Sequence, residues 1–261
     1  MSDSWVSAMA YERFMGRWSA LVGQKFLRWL AVPPARRWLD LGCGTGALSR
    51  HILAEYQPQA IIAVDSSSDF IGHARRSIAS PAVDFKLGQA QSLDVESNSV
   101  DAAVSGLVLN FIPEPAMAVA EMLRVTRPGG TVGIFVWDYA AGMQMLRAFW
   151  DAAAKLDAAA VALDEGLRFP ICQAGQLEAC VRATGLRQIE AAAIEIPTVF
   201  QNFADYWQPF LGTVGPAPAY AMILDENARR NLESALRAAL PVGADGSIAL
   251  TARAWAVKGV A

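Results

Sequence analysis

Phe14, Trp18, Leu21, Val22, Phe26, Trp29 and Leu30 recur at steps of three and four, which predicts an amphipathic helix over 14–30 ended by Pro33-Pro34. Short continuous apolar runs then take over. RRWLDL (36–41) reads as a buried strand, GCGTG (42–46) breaks it, and a helical stretch bearing Leu48, Ile52 and Leu53 follows. The run AIIAV (60–64) finishes at Asp65, and Ser66 with Asp69 three positions on predicts a capping box ahead of Phe70, Ile71, Ala74 and Ile78. Beyond it come a weaker strand near VDFKL (83–87), a buried strand VDAAVSGLVL (100–109) and a helix from Pro115 to about Thr126. A turn at Pro128-Gly129-Gly130 precedes the strand TVGIFVW (131–137).

Alternation of this kind specifies parallel strands joined by helical crossovers, so the first 138 residues predict an open α/β sheet with helices on both faces. The C-terminal part differs: helical over about 143–184, a strand at 189–200, helical again at 203–211 and 225–240, and a last alternating strand SIALTARAWAV (247–257). A chain of 261 residues can bury one large core, alone or with a smaller cap.

With 54% hydrophobic and 18% charged residues the composition excludes disorder for most of the length. The net charge of −3 and the scattered pairs Arg36-Arg37, Arg75-Arg76 and Arg229-Arg230 argue against nucleic acid as a partner. The mean hydropathy is positive, at +0.26, yet no apolar run approaches a membrane span, so no membrane insertion is expected. The opening MSDSWVSAMAYERF lacks the basic start and apolar stretch of an export signal. Three cysteines and two histidines without metal-ligand spacing predict a reducing cytoplasmic setting and no metal.

Gly42, Gly44 and Gly46 after a buried strand let the backbone turn sharply and approach a ligand closely. Ala47 also completes the G-x-G-x-x-A form of a dinucleotide site, with Asp65 placed to meet a ribose, so a nicotinamide or flavin oxidoreductase is the rival enzyme reading. Asp40 opposes it, because a carboxylate beside the helix N-terminus repels a pyrophosphate and suits an ammonium. One ligand carrying both a sugar and an ammonium explains both acids.

LDLGCGTG (39–46), AVD (63–65) and LRVTRPGGTVGIF (123–135), in that order, resemble the class I S-adenosylmethionine-dependent methyltransferases, most closely the ubiquinone/menaquinone-biosynthesis type acting on small molecules. The resemblance covers roughly 36–138 and implies a Rossmann-like seven-stranded sheet whose last two strands, 189–200 and 247–261, form an antiparallel addition. It implies that residues 1–37 close over the cofactor, that 38–138 form the cofactor-binding core, and that 139–188 and 201–246 are helical cap insertions toward substrate. S-adenosylmethionine is the implied cofactor and S-adenosylhomocysteine its product. Carried over, Asp40, Gly42, Gly44 and Gly46 surround the methionine end, Asp65 and Ser66 the ribose, and Gln89, Ala90 and Gln91 the adenine. Gln89 stands where the family often has an acid, and its amide carbonyl can still accept from the exocyclic amine. Ser105 would line the sulfonium end and Arg17 the methionine carboxylate, while Tyr11, Asn110, Trp137, Tyr139 and Trp207 would face the substrate.

Against these stand blander readings. His51 and His73 fall on crossover helices beside arginines, Cys43 reads as a packed small side chain, and the stripe Phe203, Tyr206, Trp207, Phe210 has the spacing of core. No general base is singled out among Asp138, Tyr139 and Glu12. The predicted function is methyl transfer to a small, apolar or aromatic molecule, with a non-catalytic S-adenosylmethionine-binding protein and the oxidoreductase as alternatives; neither the accepting atom nor the oligomeric state is legible.

Overall fold

A computed structural model describes residues 7–212 and 214–261; residues 1–6 of the expected N-terminal segment lie outside the described residues. The short apolar runs become a seven-stranded sheet: β1 (Arg37–Leu41), β2 (Ala60–Asp65), β3 (Val83–Leu87), β4 (Val100–Gly106), β5 (Thr126–Trp137), β6 (Arg187–Phe200) and β7 (Ile248–Val260). The spatial order is β3-β2-β1-β4-β5-β7-β6. The first five strands are mutually parallel and β7 runs antiparallel to both β5 and β6, so β6 points the same way as β5. β5 begins five residues earlier than the sequence pattern places it: Pro128-Gly129-Gly130 belongs to its irregular start, where the pairing with β4 shifts register.

Helices cover both faces, as a parallel sheet requires. α2 (Arg17–Leu30) carries the predicted stripe, and its Phe26 ring lies 4.5 Å from Phe135 of β5. α3 (Ala47–Tyr56) packs beside it, and α5 (Pro115–Val125) follows β4. The stripe starts earlier than expected, because α1 (Ala8–Tyr11) and a π-turn (Glu12–Gly16) precede α2. α4 spans Ser68–Ser77, and its cap is Ser67, one residue beyond the expected Ser66, with its hydroxyl accepting from Phe70 N; Asp69 accepts from Ala8 N at 2.8 Å.

The stretch predicted as helical over 143–184 is broken into α6 (Gln144–Leu156), a 3₁₀ turn, α7 (Glu165–Arg168), a second 3₁₀ turn and α8 (Gln176–Arg182). Asp157 and Asp164 each accept from the backbone two residues on and start new turns, and Gly175 at φ +77° starts the last. After β6 come α9 (Phe203–Trp207), α10 (Pro216–Ile223) and α11 (Glu226–Ala239). α10 escaped the periodicity reading because two prolines occupy its first turns.

β5 and β6 end, and β7 begins, at the carboxyl edge of the parallel strands. Residues 201–247 therefore sit at that edge, whereas 138–186 leave it and cross back to the start of β6. The aromatic side chains of these insertions do not face a ligand space. Phe149 stacks on Phe210 at 4.6 Å, Tyr206 and Trp207 close on the same ring, and Trp150 turns edge-on to Phe149. All five are buried among themselves, so packing rather than a pocket accounts for the stripe.

The exit of β5 is tied to β7 by Asp138, which accepts from Arg253 Nε at 2.8 Å and Nη2 at 2.6 Å. Its side chain is 3% exposed against 29% for Arg253. Breaking a buried pair from the cationic side leaves the carboxylate with only the Ala141 N donor, so Arg253→Met is expected to cost about 2–3 kcal/mol, below the roughly 3–5 kcal/mol of a fully buried pair because the arginine is partly hydrated. The double variant with Asp138→Asn should recover at least half of that. Denaturant unfolding of the three proteins at pH 7 checks it.

Candidate functional site

At the carboxyl edge, where the loops after β1, β2, β3 and β4 meet, a cavity of about 260 Å³ opens between the sheet and the N-terminal helices. β1 delivers Asp40 into it. The Asp40 Oδ2 accepts from Ser49 N at 3.0 Å and Ser49 Oγ at 2.7 Å, so this carboxylate closes the first turn of α3 from outside the helix. Its Oδ1 is buried and has no partner among the described residues. Burial pushes the Asp40 carboxyl up to about 6, despite the two Ser49 donors, and the neighbouring Asp65 adds to the rise.

β2 ends on Asp65, whose Oδ2 accepts from Gly44 N at 2.9 Å and whose Oδ1 accepts from Ser67 N at 2.8 Å. These bonds fix the glycine loop against the second crossover. Burial raises the Asp65 carboxyl as well. Gly42 sits at φ +70°, and a Cβ there would lie 2.5 Å from Val108, so only glycine passes between the loops. Gly46, at φ +86°, is close-packed on Ile78 and does not line the cavity; its part is to turn the chain into α3.

Of the residues singled out by sequence, Tyr11, Asp40, Gly42, Gly44, Asp65, Ser66, Gln89, Ala90 and Gln91 line this one cavity. The others do not. Arg17 pairs with the Asp205 carboxylate at 3.1 Å and its guanidinium lies 4.2 Å from the Trp18 ring centroid, so it clasps α2 to α9 and is not part of the cavity lining. Ser105 is fully buried with its hydroxyl unpartnered among the described residues, and the Asn110 amide is likewise buried and unpartnered between two lining residues, Val108 and Phe111. Trp137 is closed into the sheet, Trp207 into the aromatic cluster, and Tyr139 lies against Phe169, which in turn meets Phe111. Asp138, Tyr139 and Glu12 are all absent from the lining. Cys43 lines it, with a thiol that burial holds well above its usual range.

Sequence reasoning missed Ser19, Phe70, Leu107, Phe111 and Ile112 as wall residues. Ser19 had a signal, being a polar residue on the apolar side of a helix between Trp18 and Val22. Leu107 had none, since its φ of +62° arises only where the chain leaves β4.

No lysine, arginine or histidine lines the cavity among the described residues, although two carboxylates do. In a doubly wound sheet ligands bind at this carboxyl edge, and an acidic, glycine-turned lining is chemically suited to a group bearing positive charge. Residues 39–134 match the family described as Methyltransferase domain. An uncharacterized methyltransferase of Mycobacterium tuberculosis is 37% identical over 139 residues, 53% of this chain and 53% of that one. Demethylmenaquinone methyltransferase of Renibacterium salmoninarum is 36% identical over 121 residues, 44% of this chain and 45% of the relative. The chain thus spans about half the length of these curated relatives. Among solved structures, phosphoethanolamine N-methyltransferase 2 of Haemonchus contortus in complex with S-adenosyl-L-methionine superposes with a TM-score of 0.61 at 18% identity, covering 97% of this chain and 56% of that one.

The buried acid gives a pH signature. Unfolded, Asp40 ionises near 3.8, and in the folded protein near 6, so between those values the folded state holds more protons and stability falls as pH rises. Well above pH 6 the full penalty persists, about 3 kcal/mol. Asp40→Asn should therefore raise the Tm of the free protein at pH 7.5 and leave it nearly unchanged at pH 3.5. Paired thermal melts at the two pH values check this.

Proposed function

We propose that the protein transfers a methyl group from S-adenosylmethionine to a small, uncharged molecule. The observation that carries this reading is the uncompensated pair of buried carboxylates, one with an orphaned oxygen, in a cavity without a cationic side chain among the described residues. S-adenosylmethionine bears a sulfonium and an ammonium against one carboxylate, a net positive charge. At an effective dielectric of about 20, a charge about 4 Å from a carboxylate gains roughly 4 kcal/mol before desolvation. A pyrophosphate would meet repulsion at the same place, which disfavours the dinucleotide reading.

In this reading Asp40 and the backbone of the glycine loop hold the aminoacyl end, Asp65 and Ser66 the ribose, and Gln89, Ala90 and Gln91 the adenine. When bound, the cofactor supplies a methyl on an excellent leaving group. The chain's own task is then alignment and exclusion of water, worth several kcal/mol of the barrier. Phe70, Leu107, Phe111, Ile112 and Phe135 supply the apolar walls for it. No side chain of the lining is placed as a strong base: the histidines are elsewhere, and Asp138 is engaged with Arg253. Positioning therefore dominates the mechanism.

The N-terminal segment covers the site through Tyr11 and Ser19, and the first insertion reaches it through Phe169 behind Phe111, which supports reading both as parts of the acceptor side. Among the described residues the walls carry no cation, which supports a small neutral acceptor and speaks against nucleic acid. Among the described residues no helix is long and apolar enough to cross a membrane. The free cysteines suit a reducing cytoplasm.

Calorimetric titration tests the cofactor reading: S-adenosylmethionine and S-adenosylhomocysteine should bind and NAD should not. Asp65→Ala should lose about 2–4 kcal/mol of that affinity, and Asp65→Asn less. Tight binding of NAD with no heat from S-adenosylmethionine would reverse the assignment.

A further inference from the structure

The chain leaves β4 through Leu107 at φ +62°, a left-handed conformation that a branched side chain rarely adopts. Two clamps impose it. On the β5 side, Leu107 N donates to Phe135 O at 2.8 Å, which prolongs the pairing of Gly106 with Phe135. On the β1 side, the Val108 side chain packs over Gly42 so closely that a Cβ there would lie 2.5 Å from it. The backbone turns between these two contacts, and residue 107 carries the turn.

Where backbone geometry alone decides at this edge, the chain uses glycine. Gly42 and Gly44 have positive φ, and Gly106 has no room for a Cβ, which would lie 2.5 Å from the Phe135 ring. Position 107 has a conformation that favours glycine and carries leucine instead. Among the described residues the other non-glycine positions with positive φ are Ala31, Ala35, Gln57, Asn98 and Gln188, and of the six only Leu107 is branched and only Leu107 lines the cavity. Burial does not account for it, because Leu107 is only half-buried.

β1 and β4 flank the point where the strand order reverses, the place at which open α/β sheets bind ligands. The residues read as holding the cofactor follow β1, β2 and β3, so the side chain after β4 stands across that point from them, beside Ile112 and Phe135 of the same lining. We propose that Leu107 is a specificity-determining residue of the acceptor space: its side chain takes up the room beside the bound cofactor, so that compact neutral molecules are accepted and homologues extended by an alkyl chain are refused. This deepens the methyltransferase reading and rests on it.

The test uses the full chain, saturated with S-adenosylhomocysteine, and two neutral probes, phenol and 4-propylphenol. They differ by three carbons, the number that Leu107→Ala removes. Calorimetric binding of S-adenosylhomocysteine is measured first, and its absence from the wild type would defeat the cofactor reading and this proposal with it. With it bound, 4-propylphenol should bind the wild type no tighter than phenol, to within about twofold, because the added carbons find no room. In Leu107→Ala and Leu107→Gly the larger probe should gain at least about tenfold relative to phenol, against a ceiling of roughly fiftyfold for three fully buried carbons. Leu107→Met, which keeps the volume, should retain the wild-type ratio. Thermal melts without ligand read the backbone separately: Leu107→Gly should melt about 2–4 °C above Leu107→Ala, since both lose the side chain and only glycine relieves the left-handed turn. A smaller gain for 4-propylphenol in both truncations, a preference for it in the wild type, a Leu107→Met ratio like that of Leu107→Ala, no binding of either probe to the truncated proteins, or a glycine variant no more stable than the alanine one would each overturn the proposal.

Discussion

A carboxylate buried at the end of a central strand must find donors, and Asp40 finds both of its own on Ser49. That choice links the strand, the glycine loop and the helix. The loop has to be short enough to bring the first turn of α3 under the acid, which is why it is built from glycines with positive φ, and the acid then takes the place at the helix N-terminus that an anion would otherwise claim. One oxygen serves the fold and the other has no partner among the described residues. Burying this charge costs stability, and in the proposed reading a bound cation would relieve that cost.

Asp65 extends the constraint to the second crossover. Both of its oxygens accept backbone N–H groups, one from the glycine loop and one from the cap of α4, so the loop is held between two acids rather than by packing alone. Gly46 against Ile78 closes the space behind it. The glycine-loop side of the cavity is thus preorganised by hydrogen bonds to the main chain, which are insensitive to which side chains decorate the surrounding helices.

This explains what was legible in the sequence. The strands β1 to β5, the glycine turn and the two acids could be read, because each is a local requirement: a run of apolar residues, a positive φ, a charge at a strand end. The acceptor side could not. Trp207, Phe149 and Phe210 have the spacing of a helix face, but periodicity says only that a face is covered, and here they cover one another. Arg17 went to Asp205, 188 residues away, a partner no local pattern announces. Asp69, read as the partner in a local cap, accepts from Ala8 N, again a contact between distant segments.

The same division bears on specificity. The loops after β1, β2 and β3 are fixed to the sheet by main-chain bonds, whereas the wall that would meet an acceptor comes from three separate places: the N-terminal helix with its π-turn, the strained exit of β4 at Leu107, and Phe111 backed by Phe169 of the first insertion. None of these three is held by the carboxylates. Substitutions along them can reshape the acceptor space without disturbing the bonds that organise the glycine loop. Asn110 shows where that freedom is greatest: its amide is buried between Val108 and Phe111 with no partner among the described residues, a polar group whose desolvation the fold leaves uncompensated.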